Sequence, residues 1–405
     1  MAAPITALVD YEDPYVRPKI VAALRKQIPD IQIIDAAPEK GAEPERYLQW
    51  SDYEKIDWDG LLEHKSWLAC AYIIRKALIR KHHLPLTATH WTTKHPTSIL
   101  TTAIPTSIHF ELDFAEFLDD ALDAADAYDL RASLAANTDL PMNERKWWIL
   151  KPGMSDRGQG LRLFSMEEEL QAIFDEWEPE SDDEAEGSGD EDGEGEMTSQ
   201  LRHFVAQEYV DRPLLVGGKK FHIRTYVLAV GALKVYVYRE MLALFSAQSY
   251  RHPGEAEDVE EVNAELGGHL TNTCLQGAFT DPDSVKTFWS LDLPQEKLEK
   301  VFKDIGEIVG DLFESAARTQ RVHFQTIPNA FEIFGLDFVV DQDWKVSVLE
   351  VNAYPDFKQT GKDLGSLIEG LMEGTAKVAV ETFYTKEEVT DERMVKVREV
   401  ELDGW

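Results

Sequence analysis

Cysteine is nearly absent from the chain: Cys70 and Cys274 are the only two in 405 residues. Two thiols are too few for a disulfide framework or a thiolate zinc site, and their scarcity suits a reducing compartment. Basic charge is also in short supply, with 41 Lys plus Arg against 75 Asp plus Glu and a net charge of −34. That balance argues against a general nucleic-acid binder and against a protein of anionic membrane surfaces, because either needs a broad basic face. An anionic ligand must instead be met by a local basic site. No stretch approaches the ~20 apolar residues of a membrane span. The opening MAAPITALVDYEDPY lacks the basic-then-apolar order of a signal peptide. The cytosol or nucleus is the expected compartment, the cytoplasm first. No repeat recurs at the periods of solenoid proteins, and the histidines show no metal-ligand spacing beside a catalytic acid, which disfavours a zinc site.

What is present is a globular composition: 43% hydrophobic, 10% aromatic and ten Trp, enough for one large or two to three modest folded units. Ile5 to Val9, an amphipathic stretch Val16 to Lys26, and Ile31 to Asp35 read as a β-α-β unit. In HKSWLACAYIIRKALIRKHHL, Trp67, Ala71, Ile74 and Leu78 recur at helical spacing and predict a helix that Pro85 stops. Its Arg75, Lys76, Arg80 and Lys81 form a rare basic patch, read as a solvated helix face ahead of a ligand contact; His82 and His83 read as partners of the helix dipole. From Asp175 to Glu196 there are thirteen acidic residues and no basic one, the composition of a disordered insert. Strand patterns resume with HFVAQEYV, FHIRTYVLAV and LKVYVYRE. A long helix is expected at Glu296 to Arg318, two strands in FEIFGLDFVV and WKVSVLEVN, a last helix near Leu364 to Phe383, and then a charged tail. The domains so delimited are 1–64, 65–212 with its insert, 213–387 and the tail 388–405.

Glu350 and Asn352 stand two apart in VSVLEVN, so an extended strand turns both side chains to one face. If the Asp341 to Asp343 turn is a two-residue hairpin with Asp341 opposite Trp344, Asp337 opposes Val348 and joins them. Two carboxylates and an amide oxygen then converge, an all-oxygen set suited to Mg2+ holding a nucleotide's phosphates. The alternative is a solvated strand face with unrelated acids; the apolar flanks FGLDFVV and VSVLEV weigh against it. In WWILKPGMSDRGQGLRLF a strand delivers Lys151 and a loop with Arg157, Gly158 and Gly160 returns to a second strand. Glycines let backbone N–H groups approach phosphate oxygens, and Lys151 and Arg157 supply charge. Ordinary turn chemistry makes the same pattern, and a Walker loop is excluded by the missing GK[ST]. In HFVAQEYVDRPLLVGGKKFHIRTYVL the backbone of Gln207, Glu208, Tyr209 and Val210 faces a purine edge in our reading, while Lys220, His222 and Arg224 alternate onto one side. Arg239 ends LKVYVYRE, and HLTNTCLQ adds Thr271 and Asn272.

In this order, WILKPGMSDRGQG, VAQEYVDRPLL, KKFHIRTYVL, YVYRE, HLTN and FEIFGLDFVVDQDWKVSVLEVNAYP resemble the tubulin-tyrosine ligase family of ATP-grasp enzymes, fungal members in particular. The resemblance implies an α/β (α+β) protein in which a small α/β N-terminal domain precedes two antiparallel sheets that clamp ATP. It implies that Lys151 binds the α and β phosphates under the loop through Gly160, that Gln207 to Val210 are the adenine hinge, and that Asp337, Glu350 and Asn352 hold Mg2+. Lys220 and Arg224 would lie along nucleotide and acceptor, Arg239 would neutralise the reacting carboxylate, Thr271 and Asn272 would contact phosphate or acceptor, and Lys65 in EHKSW would stand near the reacting groups. The chain departs from the family's KFDIR at His222, and a histidine does not accept two ribose hydroxyl bonds as a carboxylate does. The implied activity is ATP-dependent ligation of an amino acid, tyrosine first, to the C-terminal tail of α-tubulin through an acylphosphate. Such chemistry needs no side-chain nucleophile. The implied partner is soluble tubulin, the implied state a monomer, and neither nucleic acid nor membrane is expected. Tubulin glutamylation or glycylation is the alternative within the family. A nucleotide-dependent scaffold of cytoplasmic mRNA-processing bodies is the alternative outside catalysis.

Overall fold

The computed structural model describes residues 3–11, 13–153, 160–177, 203–271, 284–357 and 364–402. Near the N-terminus, β1 (Ile5–Asp10), β2 (Gln32–Ile34), β3 (Arg46–Ser51) and β4 (Leu68–Ala69) form a parallel sheet in the order β2-β1-β3-β4. The helix Arg17–Gln27 crosses between β1 and β2, as parallel strands require, so the expected β-α-β unit is present.

A second sheet is antiparallel: β5 (Ser107–Glu111), β6 (Trp148–Pro152), β7 (Arg162–Phe164) and β8 (His203–Glu208) in the order β5-β8-β6-β7. Its own core includes Phe110, Leu122, Leu130, Phe164, Leu170 and Phe204. The helix Glu167–Trp177 packs here through Leu170, Ile173 and Phe174 and takes in Asp175 and Glu176, the first acids of the expected insert.

The third sheet is larger. The strands β9 (Leu215–Val216), β10 (Lys219–Val230), β11 (Lys234–Tyr238), β12 (Leu242–Phe245), β13 (Val285–Thr287), β14 (Phe331–Val340), β15 (Val346–Ala353) and β16 (Met394–Glu399) are all joined antiparallel. The twelve-residue β10 is the spine. One edge pairs with β14 from Ile223 to Val230, and the other pairs first with β12 and then with β11. The helix Gln295–Thr319 covers one face with Val301, Ile305, Ile308, Leu312 and Ala316, all buried, the apolar stripe its 3.6-residue period foretold.

Two expectations are corrected. Residues 67–84 are not one helix: Trp67 and Ala71 are buried in an extended run that bridges Ala69 to Ala330 and Ile74 to Gln325. Helices follow at Lys76–Ile79 and His83–Lys94. Pro85 falls in the first turn of the second, where a missing N–H breaks no intrahelical bond, so it opens that helix instead of stopping one. The C-terminal segment is not only a charged tail, since β16 pairs with β11 and closes one side of the large sheet. The cores also divide the chain their own way, because residues from Ile5 to Ala103 and from Phe221 to Val400 share one hydrophobic cluster.

Candidate active site

Three adjacent strands of the large sheet set one row of side chains. Arg224 on β10 is the register partner of Asp337 on β14, and Asp337 is the partner of Glu350 on β15. Arg224 Nε donates to Asp337 Oδ1 at 2.5 Å and Nη2 to Oδ2 at 3.0 Å, with both residues buried. Asn352, two residues along β15, donates its Nδ2 to Glu350 Oε1 at 3.0 Å.

The register differs from the expected one. The Asp341 N–H donates to the Lys345 carbonyl at 3.0 Å, so the loop has three residues and closes on Trp344 with φ 67°, the usual three-residue hairpin geometry. A β-bulge beyond Phe338 and Val348 then brings Glu350, not Val348, opposite Asp337. Loop and bulge each shift the pairing by one residue. Their sum preserves parity, and the carboxylates and Asn352 share a face.

The smaller antiparallel sheet supplies the opposing wall. Lys151 on β6 donates to Gln207 Oε1 at 2.6 Å, and Gln207 Nε2 donates to Ser107 Oγ at 3.0 Å. A cavity lies between the sheets, lined by Lys81, Lys151, Gln207, Glu350 and Asn352 among others. Burial pushes the Lys151 ammonium down to about 8, with Lys81 adding to the shift and Glu350 opposing it. Burial, then the charge of Lys151, pushes Lys220 down to about 7. Lys220 Nζ donates to the Tyr209 hydroxyl at 2.8 Å. At the hinge, the Glu208 and Tyr209 N–H groups donate to Thr106 and Trp147. Val210, where the strand has ended, makes no hydrogen bond among the described residues.

His222 is buried and, through burial first and Arg224 second, is pushed down to about 3. A neutral imidazole therefore stands here. Its Nδ1 lies 2.6 Å from Thr271 Oγ1, and its Nε2, buried without a hydrogen-bond partner, is 3.6 Å from Asp337 Oδ1. Among the described residues no three His, Cys, Asp or Glu side chains form a metal cluster by themselves. Asp337, Glu350 and Asn352 nonetheless fit Mg2+, which takes one or two carboxylates and completes its shell with substrate phosphates and water. Each Asp337 oxygen keeps a lone pair beyond the one that Arg224 occupies.

Other expected residues lie elsewhere. Arg239 has the parity of Val237, the partner of Val227, so it points to the face opposite Arg224. There its guanidinium is 4.4 Å from the Trp289 ring and 2.6 Å from Glu299. Lys65 is exposed in the turn before β4. Since Ala69 bridges Ala330, Asp337 is seven residues further along β14, ~23 Å at ~3.3 Å per residue. Arg157, Gly158 and Asn272 lie outside the described residues. Gly160 has φ 69°, and a Cβ there would come 2.9 Å from Pro152 Cγ, so this end of the loop requires glycine. Lys81, read as part of a solvated face, is instead a wall of the cavity and reaches the Pro152 carbonyl at 3.4 Å. The signal was the basic run itself, unusual in so acidic a chain.

All of these side chains fall within the span that matches the profile of the tubulin-tyrosine ligase family, residues 62–388. The chain belongs to that family. A probable tubulin–tyrosine ligase of Schizosaccharomyces pombe is 43% identical over 412 residues, covering 99% of this chain and 98% of that protein. The probable tubulin–tyrosine ligase PBY1 of Saccharomyces cerevisiae is 41% identical over 421 residues, covering 96% of this chain and 54% of its own length. The chain thus spans about half of that second relative. Among solved structures, the C-terminal domain of K. lactis Pby1 matches with a TM-score of 0.75 and 35% identity, over 98% of this chain and 100% of that one. That domain is described as an ATP-grasp enzyme interacting with the mRNA decapping enzyme Dcp2. The two antiparallel sheets facing each other across the cavity are accordingly an ATP-grasp fold, and members of this class use ATP with Mg2+.

Proposed function

We propose that this member of the family is an ATP-dependent carboxylate–amine ligase that acts on the C-terminal carboxylate of a protein, with addition of tyrosine to α-tubulin as the leading assignment. The observation that carries the reading is the row Arg224, Asp337 and Glu350 on three adjacent strands, whose Glu350 end lines a cleft together with Lys151 and Lys81 of the opposing wall. Two carboxylates beside three cations suit a triphosphate with its metal.

In this reading the purine edge lies against the Val210 backbone and the tail of the triphosphate between Lys151 and Lys81. The acceptor carboxylate oxygen attacks the γ-phosphorus, the β–γ bridge bond breaks, and ADP leaves with that electron pair. The amine of the incoming amino acid then attacks the acyl carbon, loses a proton, and expels inorganic phosphate. Bound Mg2+ would neutralise phosphate charge at Asp337, Glu350 and Asn352. Arg224 fixes the Asp337 carboxylate, and the two lysines supply preorganised positive charge where the transferring group becomes more anionic. Neutral His222 offers a single hydrogen bond where relatives carry an acid, so the ribose hydroxyls should be held less tightly than in KFDIR relatives. Mass spectrometry of α-tubulin tails and of decoy protein C-termini, after incubation with Mg-ATP and labelled tyrosine, glutamate or glycine, tests the reading. Tyrosine incorporation supports it, glutamate or glycine incorporation transfers it to the family's other branches, and ATP turnover without any incorporation refutes ligation to these acceptors.

The K. lactis neighbour's interaction with Dcp2 favours one second reading, a nucleotide-binding partner of the decapping machinery. ATP-dependent binding of the chain to a decapping enzyme, with no amino-acid transfer to any acceptor, would favour it.

A further inference from the structure

Five imidazoles form a continuous band next to the cavity. His82 and His83 lie at the start of the helix His83–Lys94, His109 on β5, His203 on β8, and His323 beyond the helix Gln295–Thr319. Ring centroids are 4.3 Å apart for His82 and His83, 4.9 Å for His82 and His109, 4.3 Å for His83 and His323, and 5.8 Å for His109 and His203. Four separate stretches of chain converge to make it. The ladder fixes its position: Val205 pairs with both His109 and Lys151, and His203 pairs with Glu111. His109 and His203 therefore share the face that turns Lys151 and Gln207 to the cavity, at the end away from the Val210 hinge. Lys81, a wall of the cavity, directly precedes His82.

Core packing does not account for the band. Four of the rings are half-buried and His203 is exposed, while the His109 Nε2 is buried with no hydrogen-bond partner. Charged groups facing it among the described residues include Arg80 and Lys76 beside His82 and His83, and Glu111, whose Oε1 is 3.2 Å from His203 Nδ1. Among the described residues, the acid Glu111 stands beside the band with the cations Arg80, Lys76 and, next to His82 in the chain, Lys81, in a chain of net charge −34.

We propose that the imidazole band is an anion subsite that receives an acidic acceptor segment, several carboxylates long, and takes up protons as the segment binds. The identity of the segment as acceptor rests on the ligase reading; its binding does not. Burial first, and then neighbouring imidazoles and cations, hold His82 and His83 below the ordinary value, His83 at about 4. Burial and His203 do the same to His109. These rings are neutral near pH 7 in the free protein. Carboxylates laid along them reverse the local charge balance and raise their proton affinity. By linkage the complex then binds more protons than its parts, and affinity rises as pH falls. Glutamate side chains stay ionised well above their reference value of about 4.3, so the slope reports the protein.

The test is fluorescence anisotropy of a labelled glutamate-rich octapeptide with the full chain from about pH 8 to about pH 6. Calorimetry in buffers of different ionisation heat counts the protons, and affinity for Mg-ATP and the unfolding temperature serve as folding controls. The expected result is an affinity gain of about tenfold or more over that range with net proton uptake. The slope should be lost in the His82→Gln/His203→Gln double variant while both controls stay at wild-type values. No peptide binding, binding without a pH slope, the same slope in the double variant, or tighter binding of an oligouridylate of equal charge would each overturn the proposal. Peptide binding with the slope, alongside ATP turnover without amino-acid transfer to the tubulin and decoy acceptors, would support the subsite and sink the ligase reading.

Discussion

The guanidinium of Arg224 and the carboxylate of Asp337 are both buried and joined by two hydrogen bonds, so each is the other's compensation for lost water. Arg224→Ala leaves a buried carboxylate alone and should cost ~3–5 kcal/mol of stability, read as a shift in denaturation midpoint. Arg239→Ala breaks an ion pair that is partly exposed at both ends and should cost under ~1 kcal/mol with amino-acid transfer near wild type; a large loss of transfer would restore Arg239 to the reacting centre. Glu350→Gln should cut Mg-dependent ATP turnover by ~100-fold or more while the fold survives; unchanged Mg-ATP affinity and turnover would remove Glu350 from the metal set. Lys151 and Lys220, pushed down to about 8 and about 7 chiefly by burial, give a pH dependence whose sign follows from linkage. A triphosphate between them raises both, so binding takes up protons, and ATP affinity should fall as pH rises through 7 and 8. Titration with a fluorescent ATP analogue across that range checks it.

Strand β16 shows how an element outweighs its composition. Its sequence is charged, yet Met394 is buried, and Arg398 holds Asp311 and Glu314 on the helix Gln295–Thr319 at 2.6 and 2.8 Å. Truncation before Arg393 would strip β11 of its ladder partner and leave an open apolar edge, a template for intermolecular pairing. The truncated chain should unfold at lower denaturant and aggregate, as light scattering during refolding would reveal; a soluble, fully cooperative product would show the strand to be dispensable. The hairpin β14–β15 teaches a related lesson. The period of two in VSVLEVN was enough to place Glu350 and Asn352 on one face, but that period does not encode the three-residue loop closing on Trp344 or the bulge between Val348 and Glu350.

The cleft lies between two bodies with separate main cores, one within Phe110 to Ala206 and one built from Ile5 to Ala103 and Phe221 to Val400, with a smaller cluster of Trp147, Ile149, Leu163, Tyr209 and Val262 beside them. A ligand bridging Lys151 and Glu350 stabilises both at once, and Mg-ATP at about a hundredfold over its dissociation constant should raise stability by ~2.7 kcal/mol. The acidic stretch Glu178 to Glu196 lies outside the described residues, and its composition argues for little burial. Deleting it should leave ATP turnover and the unfolding temperature nearly unchanged, since closure entropy depends weakly on loop length, and should speed association with an acidic peptide at low salt. Loss of cooperative unfolding on deletion would make the segment structural.

From the sequence alone came the N-terminal β-α-β unit, the long amphipathic helix, the strands that carry Lys151, Gln207, Arg224, Asp337 and Glu350, and the family those motifs belong to. Each of these is a short-range pattern, a period of two or 3.6 or a fixed order of motifs, and such patterns survive without knowledge of partners. Tertiary structure alone decided that Lys81 enters the cleft while Arg239 and Lys65 do not, that Asp337 meets Glu350 across a bulge, that a charged C-terminal stretch is a strand, and that five histidines from four stretches become neighbours. Those facts depend on which face of a sheet a residue reaches and on which distant segment packs against it, and such long-range contacts leave no period in the chain to read.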